Sequence, residues 1–218
     1  MPEARASLHA AHARQALGHW LQGPDRLAFD ITGVQFTQFE LADAADLLAV
    51  RNHDSVRRFM PQAQPLAWEA HLRWAQAHLC NGDVLLFMAR RDGVALGFSL
   101  LKLLPAEHEL ELGVMFAGER QRTLLPGLAA THTCAIALEV FGAQTVVTYA
   151  SPDNEGAIRL NQGLGLLPSQ HSDKPGEQCF RTPVGHVRQL PIYRRSLPQL
   201  RASLRVMGAG PLAWAEPS

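Results

Sequence analysis

Lysine is nearly missing from this 218-residue chain: Lys102 and Lys174 are the only two among 20 basic residues. Such a preference for arginine reflects high-GC coding bias rather than a chemical demand. Cysteine is scarce too. Cys80, Cys134 and Cys179 are far apart and odd in number, which excludes a disulfide framework or zinc spacing and makes a reducing cytoplasm the expected location. Net charge is absent, because 20 acidic residues balance the 20 basic ones. That argues against a nucleic-acid partner bound through overall positive charge. No stretch approaches the ~20 apolar residues needed to span a bilayer, so no membrane role is expected. Met1–Gly23 scatters Arg and His without an apolar run and does not read as a secretory signal. No metal is expected either. His71 and His78 stand seven apart, and His9 and His12 three apart, without Cys or carboxylates at ligand spacing.

One absence is local. The strand Glu109–Phe116 feeds a basic loop, Gly118–Leu125, that opens a helix running to about Gly142, followed by a strand at Gln144–Ala150. Helix N-terminal amides are unpaired and partly positive, so this arrangement suits a phosphate-bearing cofactor. Yet between Gln121 and Pro126 there is no glycine.

What is present is a globular composition, 47% hydrophobic and 18% charged, of a length for one domain with extensions. Residues 1–23 read as an appended helix, with Leu17, Trp20 and Leu21 on one face, that docks on the domain or a partner. Leu27–Phe39 reads as a strand pair broken at Gly33. Asp43–Arg51 reads as a helix with Leu47, Leu48 and Val50 inward. Leu66–Leu79 reads as a second helix with Trp68, Leu72, Ala75 and Leu79 on its buried face. Val84–Arg90 and Val94–Leu104 form a hairpin through Asp92-Gly93. Gln178–Thr182 and Val187–Ser196 are expected to close the domain as a hairpin around Pro183–His186, with a tail without periodicity beyond Leu197. The expected organisation is a helical extension over 1–23, a domain over 24–197 and a tail over 198–218. Helices and strands alternate in the middle, so the fold class is α/β with a mixed central sheet.

This order of elements over residues 27–197 resembles the GNAT superfamily of acyl-CoA-dependent N-acyltransferases. Glu111-Leu112-Gly113 and then Ala117-Gly118-Glu119 look like the family's fourth strand and its exit. Gln121 stands where the family's Q/R-x-x-G-x-G/A loop begins. Ser151–Leu166 (SPDNEGAIRLNQGLGL) is similar to its "DPxNxxSIRLxEKLGF" segment, with Asn154, Ile158, Arg159 and Leu160 in register. Leu48–Met60 and Trp68–Trp74 further resemble members that acetylate amino sugars on nucleotide carriers, of the pseudaminic acid pathway type.

The resemblance implies a GNAT fold and transfer of an acetyl group from acetyl-CoA to a small-molecule primary amine. Glu111 or Glu109, which share a strand face, would take the amine proton; each also suits a structural ion pair with an Arg. Val114 and Phe116 would offer strand amides to the thioester and pantetheine. Gln121, Arg122, Thr123, Leu124, Leu125 and Gly127 would wrap the pyrophosphate, with Asn154 and Arg159 nearby. Asn154 equally suits a helix N-cap, and Arg159 a helix surface. Arg51, Asn52, Arg57 and His71 would hold the acceptor, or else cap and cover helices. Leu124 and Pro126 occupy the family's glycine places, which weakens the anion site because leucine adds bulk and proline has no N–H. Arg120 and Arg122 could replace the lost contacts. Asn161 stands where many members carry the Tyr that reprotonates the thiolate. Two other readings follow from these departures: a donor presented by an acyl carrier protein, or a degenerate domain that binds a ligand or partner. In the latter, the N-terminal helix or the tail with Trp214 would be the interface, a homodimer included.

Overall fold

The computed structural model describes residues 20, 25–61, 63–81, 83–105, 109–170, 172–208 and 210–211. The sheet begins with β1 (Leu27–Ile31), β2 (Val34–Gln38), β3 (Val84–Arg91) and β4 (Val94–Leu103). It continues through β5 (Glu109–Phe116), β6 (Thr145–Ala150), β7 (Leu167–Pro168) and β8 (Gln178–Pro183) to the short β9 (Arg205–Val206) and β10 (Gly210–Pro211). Their order is β10-β9-β1-β2-β3-β4-β5-β6-β8-β7, antiparallel throughout except for the parallel pair β5–β6. The mixed sheet expected from the sequence is therefore present. Its two sharp hairpins come from Thr32-Gly33 and Asp92-Gly93, each with two consecutive positive φ angles. That geometry matches the right-handed twist of the flanking strands.

Strand alternation divides the core. Phe29, Phe36, Leu85, Phe87, Leu101, Leu110, Leu112 and Phe116 face one side. Phe39, Leu86, Met88 and Phe98 face the other, beneath α1 (Ala44–Asn52) and α3 (Trp68–Asn81), with the one-turn α2 (Asp54–Arg57) between those helices. Leu47 and Val50 of α1 are buried and Leu48 is half-buried. Among the described side chains of α3 the buried ones are His71 and Ala75, with Leu72 half-buried and Leu79 outside the described side chains, whereas Trp68, expected inward, is 43% exposed. The reason is polar: His71 Nε2 lies 3.0 Å from the Ala44 carbonyl, and this hydrogen bond sets the rotation of the helix.

On the opposite face, α4 (Leu125–Glu139) is apolar all round, and every residue from Ala129 to Leu138 is buried. A helix of that kind needs cover on both sides. Strands β4 and β5 supply one side, and α7 (Pro191–Ser203) supplies the other. Here the expected closing hairpin is corrected. β8 does form, but Val187–Ser196 is not a strand: α6 (Val184–Gln189) and α7 take its place. Pro191 starts α7 in its first turn, and Tyr193, Leu200 and then Leu204 recur at helical spacing, all buried. The expected boundary after Leu197 falls inside α7, whose Pro198 sits on an exposed side. Beyond it β9 pairs with β1. The N-terminal helix lies outside the described residues apart from Trp20, which is helical and buried, its carbonyl accepting from Gln38 Nε2 at 2.7 Å. Trp214 also lies outside them.

Candidate active site

The parallel ladder between β5 and β6 is short. Glu109 pairs with Thr145, Leu110 with Val146 and Glu111 with Val147, and there the pairing ends, although both strands continue. β5 meanwhile stays paired with β4 up to Phe116. The two strands thus fork beyond Glu111. Backbone groups of successive strand residues alternate in direction. The Ala117 N–H bonds back to Leu96 and the Glu109 carbonyl accepts from Leu104, so odd residues of β5 are committed towards β4. The C=O of Leu112 and the N–H and C=O of Val114 and Phe116 therefore point into the fork, the Leu112 N–H closing the ladder. An extended chain laid in the fork would find a ready sheet edge.

Side chains at the fork are charged on one face. Glu109 (8% exposed) accepts a hydrogen bond from Arg181 Nη1 at 2.8 Å, and Arg181 is 3.8 Å from Asp173. Glu111 Oε1 accepts from Lys174 Nζ at 2.5 Å, while its buried Oε2 has no partner among the described residues. Lys174 Nζ also stands 4.1 Å from the ring centre of Tyr149 on β6, a cation–π contact across the fork. Burial first, and then Cys179, Asp173 and Glu111, together push the Tyr149 hydroxyl up to about 12. Both glutamates thus make the ion pairs that the sequence left open, Glu109 with an arginine and Glu111 with a lysine. Lys174, Arg181 and Tyr149 are neighbours in the candidate site that no motif in the sequence points to. Lys174 could have been flagged only by its rarity.

Next to the fork, the loop after β5 forms a 3₁₀ turn over Gly118–Arg122. It is fastened to α2. Ser55 Oγ accepts from the Gly118 N–H (2.9 Å) and from Gln121 Nε2 (3.1 Å), and Gln121 Nε2 also donates to the Ser55 carbonyl (3.0 Å). His53 Nδ1 accepts from the Ser55 N–H at 3.2 Å, so the Ser55 hydroxyl, 2.9 Å away, is its second donor. The Gln121 side chain is consequently spent on holding the loop. At the start of α4 the Leu125 N–H is taken by Thr123 Oγ1 (3.3 Å), and Pro126 has none. Gly127 keeps an N–H without a partner among the described residues. Leu124 is 83% exposed, and Arg120 and Arg122 are exposed beside it, Arg122 only 3.8 Å from Glu119.

The following helix, α5 (Glu155–Gly163), is capped by Asn154, whose Oδ1 accepts from the Ala157 N–H at 3.1 Å. Arg159 lies on the surface in an ion pair with Glu155 at 2.9 Å. Asn161 is 5% exposed and its Nδ2 has no partner among the described residues. A groove of about 480 Å³ borders the first turns of α4 at Leu128 and runs past Gly163 to Pro191, Ile192 and Arg195. Of the residues expected to hold an acceptor, Arg51 stacks over Trp74 at 5.0 Å, and burial lowers its pKa. Asn52 ties the Leu66 backbone at both its N–H (2.8 Å) and carbonyl (3.0 Å). Arg57 bonds Asp54 at 2.5 Å and the Ala63 carbonyl at 3.0 Å. His71 is buried, and burial together with the Arg51 charge lowers its pKa. These four share the face beneath α1 and α3 but are engaged within the protein. No group of metal-ligating residues occurs among the described residues.

A parallel strand pair that forks beyond Glu111, followed by a loop and a buried helix, makes up the α/β frame of this site. A family model described as an acetyltransferase (GNAT) domain matches residues 34–166, and the chain belongs to this family. Solved structures agree in fold. The spermidine N-acetyltransferase from Vibrio cholerae, in complex with CoA and spermine, superposes with a TM-score of 0.63 at 10% identity. It covers 72% of this chain and 99% of that one. The Salmonella typhimurium protein yncA, solved with its cofactor acetyl-CoA, gives 0.56 at 18% identity, covering 69% of this chain and 92% of its own. An N-acetyltransferase from Staphylococcus aureus Mu50 gives 0.57 at 14% identity, covering 70% and 99%. No curated protein sequence matches significantly.

Proposed function

We propose that this chain transfers an acetyl group from acetyl-CoA to a small primary amine, with Glu111 as the base. The observation that carries the reading is the fork: unpaired backbone groups of Val114 and Phe116 beside a buried-side carboxylate. Acetyl-CoA, when bound, supplies the thioester and an amide-bearing pantetheine arm. The residues present suit it. The Val114 N–H can hold the thioester carbonyl oxygen, and Phe116 can pair with the arm as an added strand does. The Gly127 N–H and the exposed guanidinium groups of Arg120 and Arg122 would serve a pyrophosphate. The groove beside Leu128 gives room for the nucleotide end. Asn161 can donate a hydrogen bond through its orphaned Nδ2 but has no acidic proton, so water reprotonates the thiolate. Glu111 receives the proton of the incoming ammonium, while Glu109 stands beside it on the same face, clamped in an ion pair by Arg181.

The acceptor reading is a small amine rather than a particular one. A nucleotide-linked amino sugar would need Arg51, Asn52 and Arg57 to leave their present internal contacts. The second donor reading, an acyl carrier protein, draws support from the taken Leu125 N–H and the missing one at Pro126, since a carrier needs no pyrophosphate cradle. Thermal-shift titration with CoA and acetyl-CoA, then thiol release with polyamines and amino sugars, tests the proposal. Stabilisation at micromolar CoA with amine-dependent thiol release is the expected outcome. No shift with any CoA overturns it and leaves the carrier donor or a binding module without catalysis.

A further inference from the structure

The chain places one of its own primary amines where an acceptor amine belongs. Lys174 sits on the loop between β7 and β8, its backbone held in a turn by Ser172 Oγ, which donates to the Lys174 carbonyl (3.0 Å) and accepts from its N–H (3.3 Å). From there the side chain reaches back to the fork. Nζ is 2.5 Å from Glu111 Oε1 and 4.1 Å from the Tyr149 ring centre. Glu111 is the last residue of β5 paired with β6, and Tyr149 lies two residues beyond its partner Val147, so Nζ bridges the two arms where they part. The Glu111 side chain is only 13% exposed, whereas that of Lys174 is 41% exposed. The amine is thus held against the base yet remains open to a donor. Lys102, the other lysine, pairs across the ladder with Glu111 but forms no ion pair among the described residues.

The geometry points to Lys174 as an acetyl acceptor of this same site, an intramolecular self-acetylation. The inference rests on the acetyl-CoA reading above. Glu111 Oε1 takes a proton from the Lys174 ammonium. The freed lone pair of Nζ forms a bond to the thioester carbonyl carbon, and the carbon–sulfur bond breaks. Its electron pair leaves with sulfur as the CoA thiolate, which is reprotonated, and Nζ loses its second proton to become a neutral acetamide. One acetyl group moves and nothing is oxidised or reduced. The acetamide has no charge to pair with Glu111, so the modification releases the base for an external amine.

Full-length protein is incubated with acetyl-CoA and digested, and both lysine peptides are followed by mass spectrometry alongside a thermal shift with acetyl-CoA. One acetyl group on Lys174, with Lys102 unlabelled, is the expected result. Glu111→Gln should slow labelling ~100-fold or more, the scale of a lost general base. Lys174→Arg should abolish labelling while keeping a cation beside Glu111. A thermal shift without labelling at Lys174, or equal labelling of both lysines, overturns the inference and leaves the acetyl-CoA reading standing. Absence of both shift and labelling overturns the two together.

Discussion

Replacing Pro126 by alanine should pull affinity and stability in opposite directions. In the first turn of α4 the Leu125 N–H is occupied by Thr123 Oγ1 and Pro126 offers none, so Gly127 carries the free helical N–H nearest an incoming pyrophosphate. Pro126→Ala adds a second without glycine's flexibility. A hydrogen bond to a charged group is worth ~1.5–3 kcal/mol, which corresponds to a roughly 10- to 150-fold tighter CoA dissociation constant. The folded protein loses proline's restriction of the unfolded chain, ~0.4–1 kcal/mol. At this chain length that lowers Tm by about 1–4 °C. The two numbers come from one substitution and are read separately, by calorimetric titration with CoA and by melting without ligand. Tightening of less than about twofold, with the melting change as expected, would show that the α4 N-terminus does not meet the pyrophosphate. The carrier-protein donor would then be the better reading.

Glu111→Gln should cut kcat for an external amine ~100-fold or more with little change in donor KM, and a loss within about threefold would remove Glu111 as base. Burial lowers the pKa of His132, whose Nδ1 meets the Leu128 carbonyl at 2.9 Å. Below about pH 6.5 the unfolded state therefore binds a proton that the folded state refuses. Stability should fall as pH drops below that value, by up to ~1.4 kcal/mol per unit from this group, and His132→Gln should flatten urea midpoints measured from about pH 7.5 to 5.5. An unchanged slope would place the acid sensitivity elsewhere. Asn52→Ala removes both bonds to Leu66 and should cost ~2 kcal/mol in denaturant melts; a neutral result would mean that the Leu66 backbone finds water instead. Gly97→Ala would set a β-carbon 2.3 Å from the Met115 carbonyl oxygen and 2.8 Å from the Phe116 Cα, so a loss of ~3 kcal/mol or failure to fold is expected. A stable variant would show that β4 and β5 can separate there.

Local signals in the sequence suffice where neighbouring residues decide the outcome. Asp92-Gly93 demands a tight hairpin, Asn154 caps its own helix, and the parity of Glu109 and Glu111 follows from strand geometry. They do not suffice where a distant surface decides. Val187–Ser196 reads as strand residues after a strand, yet the outer face of α4 needs cover, and α7 supplies it with Tyr193 and Leu200 at helical spacing. Pro198 hid that helix, because a proline beyond the first turn normally ends one. Periodicity places Trp68 inward, but the His71 bond to Ala44 fixes which side of α3 faces the sheet.

Sequence by itself determined the family frame. The Gly118–Leu125 loop, the apolar α4 and the Asn154 segment are contiguous, so their hydrophobic period, capping and chain order are readable without a partner. Even the missing glycines at Leu124 and Pro126 could be seen there. Tertiary structure alone decided the charge at the fork. Lys174 and Glu111 are 63 residues apart, and Arg181 and Glu109 are 72 apart. Nothing local ties such residues together. They meet because β8 runs antiparallel to β6 while β6 runs parallel to β5, which carries Arg181 and the Lys174 loop onto the face where the two carboxylates stand.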